Sequence, residues 1–152
     1  MDKFMKLAKD AALEGIEKRE GGPFGAVIVK DDEIIAIGNN KVLGLNDPTA
    51  HAEIVAIREA SRKLKTYDLK DCILYTSAYP CPMCLSAIIW ANIGTVYYGC
   101  DKEDADKIGF RDDFIYKVLK GDINNLLDIK SLDREECLEI FDKYQKNNGI
   151  IY

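Results

Sequence analysis

His51-Ala52-Glu53, followed 30 positions after the histidine by Cys81-Pro82-Met83-Cys84, puts one imidazole, one carboxylate and two thiols into two short segments. His51 is the only histidine in the chain, so any imidazole chemistry must use it. Cys81 and Cys84 are three residues apart and share one face of a helix start. The positive end of that helix favours both sulfurs as thiolates. With His51 as third ligand, a tetrahedral Zn²⁺ keeps its fourth position open, which marks a catalytic rather than a structural site. Such a metal lowers the pKa of a water from about 15.7 to about 7. Two thiolates cancel its charge and weaken it as a Lewis acid, so a base is needed nearby, and Glu53 is placed to be that base. Residues two apart do not share a helix face, so His51 and Glu53 converge only in a first turn. Asn46-Asp47-Pro48-Thr49 predicts that turn, with Asp47 or Thr49 as N-cap and Pro48 at the first helical position.

Plainer readings compete. A lone histidine at a helix start is commonly a cap or a core residue. Cys-Pro-Met-Cys after the apolar run Ile73-Leu74-Tyr75-Thr76 suits a thioredoxin-like redox pair. A non-enzymatic zinc module would close the fourth position with Cys72 or Cys100 and leave Glu53 at the surface. The order of the parts, with prolines on both sides of Cys81, favours the catalytic metal.

The bulk numbers agree. A chain of 152 residues suits a single domain over 1–152, and 47% apolar residues are enough for a packed core. The net charge of −5, with basic residues scattered among acids, argues against a nucleic-acid partner. No apolar run is long enough to span a membrane, and the charged first ten residues are unlike a signal peptide. A cytoplasmic place is expected. Five cysteines, an odd number, fit a reducing compartment. Cys72, Cys100 and Cys137 are expected as small core residues.

Apolar spacing predicts a helix over the first eighteen residues, ended by Gly21-Gly22-Pro23. A hairpin follows (24–30 and 33–38), turned by Asp31-Asp32. Then come a helix (49–64), a buried strand (72–76), the thiol-bearing helix (82–92) and a strand (95–98). The pattern turns helical after Asp101, and a strand (126–130) and a long helix (133–146) complete it. Alternating strands and helices imply an α/β fold, one mixed sheet with helices on both faces.

Four segments then resemble the cytidine-deaminase-like superfamily, and within it the guanine deaminases: 21–29 (GGPFGAVIV), 46–53 (NDPTAHAE), 80–85 (PCPMCL) and 109–116 (GFRDDFIY). The H-x-E and P-C-x-x-C parts are the signature of zinc base deaminases. The resemblance implies a three-layer α/β/α sandwich with a five-stranded sheet, and one Zn²⁺ per subunit on His51, Cys81 and Cys84. It implies that Glu53 shuttles protons and that Asp112 assists in substrate binding or proton transfer. Asn40 would hydrogen-bond the purine edge, Phe24 would stack on the ring, and Ala52 would belong to the substrate pocket. The implied reaction is hydrolysis of guanine, a small purine base, to xanthine and ammonia. A homodimer is implied too, exchanging C-terminal segments so that Tyr152 reaches an active site. The second and third segments are shared with tRNA adenosine deaminases, so tRNA, or another free base such as cytosine, stays open as substrate. Trp90 is expected in the core or a subunit interface. Two residues depart from the family pattern: Tyr79, where many relatives carry an acid before Pro-Cys, and Arg111.

Overall fold

The computed structural model describes all 152 residues. Helix α1 (Lys3–Glu17) starts at Asp2, whose carboxylate accepts the N–H groups of Phe4 and Met5 at 2.8 and 3.0 Å. Strands β1 (Gly25–Lys30) and β2 (Glu33–Asn39) pair antiparallel. Asp31 and Asp32 turn between them with φ of 49° and 65°, the left-handed pair that a two-residue hairpin needs. A short helix α2 (Val42–Leu45), absent from the sequence expectation, leads to α3 (Ala52–Leu64). Strand β3 (Ile73–Ala78), helix α4 (Pro82–Trp90) and strand β4 (Thr95–Cys100) form a parallel crossover. Helices α5 (Lys102–Lys107), α6 (Asp112–Lys120) and α7 (Arg134–Lys146) follow.

The sheet order is β2-β1-β3-β4, with β1 antiparallel to both neighbours and β3 parallel to β4. Alternation along β1 assigns its two faces. Val27 and Val29 pack with Phe4 and Ala8 of α1. Ala26 and Ile28 pack with Ala52, Ala56 and Ala60 of α3 and Ile88 of α4. The mixed sheet is therefore covered on both faces. The α1 layer lies very close: a Cβ on Gly25 would stand 2.0 Å from the Ala8 carbonyl oxygen, so this crossing admits only glycine. No helix is long and apolar enough to cross a membrane.

Three expectations need correction. The sheet has four strands, not five: residues 126–130 form no strand. Their apolar side chains lie in solvent, Leu127 and Ile129 above all, and the segment pairs with no strand of the sheet. Helix α3 begins at Ala52 rather than Thr49. The Asp47 carboxylate is taken up by the Thr49 N–H and hydroxyl at 2.8 and 2.7 Å, which closes a local turn before the helix. Of the three remaining cysteines only Cys72 is buried; Cys100 and Cys137 are exposed. Trp90 is exposed on this chain, which leaves the interface as its remaining expected place.

Candidate active site

The two helices that carry the metal-ligand candidates start side by side. His51 is the N-cap of α3 and Cys81 the N-cap of α4, both with extended backbone, and Pro82 occupies the first helical position of α4. Cys84 lies one turn into α4 and is fully buried. The His51 Nδ1 atom stands 3.5 Å from the Cys81 sulfur and 3.6 Å from the Cys84 sulfur. Bonds of about 2.3 Å to sulfur and about 2.0–2.1 Å to nitrogen at a tetrahedral angle would separate S and N by about 3.6 Å. The two nitrogen–sulfur separations thus match those of a zinc site, and all three donors lie within 4.8 Å of one another. Cys72 and Cys100 are not among the clustered ligand atoms, which holds three donors only. The four-ligand structural reading has no fourth protein donor.

Electrostatics point the same way. Hydrogen bonds from the Cys84 thiol and His51 hold the Cys81 thiol down at about 4, so Cys81 is a thiolate at neutral pH. Its bond to Cys81, together with burial and the Glu53 carboxyl beside it, pushes the Cys84 thiol far up. His51 is raised, first by its bond to Cys81. The pocket therefore concentrates negative charge that a divalent cation would neutralise, releasing the Cys84 proton as it binds.

Glu53 is the second residue of α3, where side chains near a helix start splay into one space with the N-cap. It is buried; its Oε2 accepts from the Cys84 thiol at 3.4 Å and its Oε1 from the Thr76 hydroxyl at 3.1 Å. Burial raises its pKa, and the Cys81 charge adds to that. A carboxyl shifted upward in this way can take a proton and return it near neutral pH.

Beside these groups lies a cavity of about 500 Å³. Of the expected residues, Phe24, Asn40, His51, Glu53, Cys81 and Asp112 all line it. Asn40 is buried, and its Oδ1 accepts the Val42 N–H at 3.1 Å, which fixes the amide and leaves its NH₂ without a partner in the chain. Burial, with the nearby Cys81 charge, raises the pKa of half-buried Asp112. Two expected residues are elsewhere. The Ala52 methyl is packed in the core. Tyr152 lies against Tyr67 and Trp90, with ring centroids 5.8 and 6.0 Å away, in a separate groove of its own chain.

One aromatic lining residue was not among the expected site residues. Phe110 meets Phe24 edge-to-face at 4.8 Å and extends the aromatic wall. Tyr79 and Arg111, the two departures, both border the cavity. Tyr79 packs edge-on against Tyr98 at 5.0 Å, so aromatic contacts occupy the place where an acid would sit. Thr76 could have been found: it is the one polar residue on the inward face of β3, between Leu74 and Ala78.

With this geometry in place, comparison with known proteins is direct. Residues 1–100 match the family described as the cytidine and deoxycytidylate deaminase zinc-binding region. The chain is 57% identical over 116 residues to guanine deaminase from Bacillus subtilis, covering 76% of this chain and 74% of that protein. The X-ray structure of guanine deaminase from that organism superposes with a TM-score of 0.89, at 47% identity over 96% of this chain and 95% of the other. A tRNA-specific adenosine deaminase from Buchnera aphidicola is 39% identical over 145 residues, or 95% of this chain and 93% of that protein. Family match, shared fold and a three-donor zinc pocket with a buried carboxylate converge: the chain belongs to the cytidine and deoxycytidylate deaminase family and is a zinc-dependent hydrolytic deaminase.

Proposed function

We propose that this one-domain enzyme hydrolyses guanine to xanthine and ammonia. One observation carries the reading: the cavity that meets the zinc ligands and Glu53 is walled by Phe24 and Phe110 and holds the unpartnered Asn40 amide donors. A flat purine stacks on such aromatic rings, and guanine offers acceptors at N7 and O6 for an amide donor. Likeness to guanine deaminase over three quarters of the chain supports the choice.

When bound, zinc supplies the Lewis acidity that makes water nucleophilic at neutral pH. The chain's own residues do the rest. Glu53 removes a proton from the attacking water as its oxygen bonds to C2 of guanine, and delivers that proton to the ring nitrogen beside C2. The second water proton passes through Glu53 to the exocyclic amino group. Ammonia leaves as the C2 carbonyl of xanthine forms, and the ring nitrogen keeps the first proton. Asn40 fixes the base in its plane, and Asp112 at the cavity wall holds or relays a proton on the substrate's far edge.

Ammonia release from guanine, guanosine, cytosine, adenine and tRNA tests the assignment. Guanine is expected to dominate; release from tRNA alone would overturn it. A net charge of −5 without a basic stripe favours the small base over the polyanion.

Thr76 gives a sharper local test. Its hydroxyl donates to Glu53, so Thr76→Val is expected to lower kcat by roughly 10–100-fold, the worth of a bond to a charged group. Thr76→Ser should restore most of the rate. Equal kcat for the valine and wild-type enzymes would remove Thr76 from the site.

We further infer a cytoplasmic homodimer in which α7 and the segment before it pack on a second copy. α7 has no buried residue, and Leu119, Leu127, Ile129, Leu132, Ile140 and Phe141 are all exposed. That much apolar surface is what an interface normally covers. All five cysteines are unpaired, as a reducing compartment requires. Sedimentation at the mass of two chains is expected; a monomer at micromolar concentration would sink the inference.

A further inference from the structure

We propose that Tyr116 is a positioning residue for Asp112: its hydroxyl, bonded to the Pro80 carbonyl, docks α6 on the turn that carries Cys81. This goes beyond the assignment of guanine as substrate but rests on the reading of Asp112 as a group that meets it.

Helix α6 needs a tether. None of its residues is fully buried, and its N-cap Arg111 makes no side-chain capping bond. Hydrophobic packing therefore holds the helix only in part. The Lys117–Asp113 ion pair at 2.8 Å stays within the helix and anchors it to nothing else. The hydroxyl of Tyr116 makes the one side-chain hydrogen bond from α6 to the rest of the chain, donating to the Pro80 carbonyl at 2.8 Å. Pro80 is buried and directly precedes the first thiol ligand candidate.

Spacing links this tether to the cavity. Tyr116 stands four residues after Asp112, one helical turn along the same face. Any shift of Tyr116 away from Pro80 carries the Asp112 carboxyl with it. The helix is also gripped before its first turn. Phe110 rests on Phe24, and a Cβ on Gly22 would come within 2.8 Å of the Phe110 ring, so glycine there admits the close approach. Asp112 thus lies between an apolar grip two residues earlier and a polar one four residues later. The Tyr116 ring itself has other support: Tyr79 lies 6.2 Å away and the Lys102 ammonium 5.1 Å from its centroid. Removing the hydroxyl alone leaves that packing in place and tests the tether by itself.

The experiment is a double-mutant cycle of Tyr116→Phe and Asp112→Asn in the full-length, zinc-loaded protein. It reads kcat and KM on guanine, together with backbone amide exchange over residues 112–120 in the zinc-loaded and metal-free forms. Tyr116→Phe is expected to keep full zinc content, to speed exchange across α6 in both forms, and to lower kcat/KM by about tenfold, ~1.4 kcal/mol. In an Asp112→Asn background the same change should cost less than about twofold, because the carboxyl it positions is gone. If the two losses multiply while Asp112→Asn alone is damaging, the positioning claim is overturned and the Asp112 reading stands. If Asp112→Asn keeps wild-type activity, the Asp112 reading fails and takes the proposal with it. Unchanged exchange over α6 in Tyr116→Phe would also overturn it, since the bond would then dock nothing.

Discussion

Glu53→Gln, folded and carrying its zinc, is expected to deaminate guanine at least ~10⁴-fold more slowly than wild type. A single general acid–base group is typically worth ~10²–10⁴. The upper end applies because, in the proposed mechanism, both halves of the reaction pass through this one side chain, which takes the water proton and later delivers one to the leaving amine. The substitution is close to a pure test of proton transfer. Glutamine has the same shape, its amide oxygen can still accept the Thr76 hydroxyl, and its NH₂ would take the place of the oxygen beside Cys84. No cavity opens and no buried polar group loses its partner, so stability and zinc content should change little. What disappears is a buried carboxyl whose pKa is raised by desolvation. KM for guanine should stay within a few-fold, because Asn40 and the two phenylalanines that line the cavity are untouched. Steady-state ammonia release with zinc measured in the same sample decides it. A variant keeping most of its turnover with a full zinc load would take the proton shuttle away from Glu53.

That residue was legible in the sequence because its chemistry is local. His51 and Glu53 lie two apart, Cys81 and Cys84 three apart, and each pair's geometry follows from a single helix start. The hairpin and α1 were legible for a similar reason: their apolar periods match the faces they bury. The failures occur where the outcome depends on something distant. Whether 126–130 forms a strand depends on pairing with a sheet edge, and here the segment pairs with none. Whether Asp47 caps α3 depends on Thr49 competing for the same carboxylate, which it does with two bonds. Cys100 and Cys137 read as core because their neighbours are apolar. Yet β4 is largely exposed, and α7 has no layer against which to bury its face. Phe110 and Tyr79 reach the cavity only through tertiary approach: one through its edge contact with Phe24, the other through the turn after β3. The H-x-E and C-x-x-C segments thus dictated the candidate metal cluster and its neighbouring carboxyl, whereas the cavity walls arise from the packing of α6 and the 20–24 turn around it.

Cys84→Ala should cost the enzyme its metal, and with it both activity and thermal stability. Zinc sites bind with about 10–16 kcal/mol spread over four ligands, so one thiolate carries on the order of 3–4 kcal/mol, or ~10²–10³ in Kd. Cys84 is fully enclosed at the first turn of α4, and no spare donor stands within the ligand cluster to replace it. The purified variant is expected to hold less than about a tenth of the wild-type zinc after dialysis against a weak chelator. Stability follows by mass action, because zinc binds the folded chain and joins α3 to α4. At ~1,000 times Kd a bound ligand adds about 4 kcal/mol. For a chain of this size, that corresponds to a Tm shift of about 10 °C. A strong chelator should therefore lower the wild-type Tm by about that much and leave the Tm of Cys84→Ala unmoved. The contrast separates metal loss from damage to the fold, since a merely destabilised variant would still respond to the chelator. A Cys84→Ala protein that kept one zinc per chain and the wild-type chelator response would show that the metal is held by other residues, and the reading of His51, Cys81 and Cys84 as its ligands would fall.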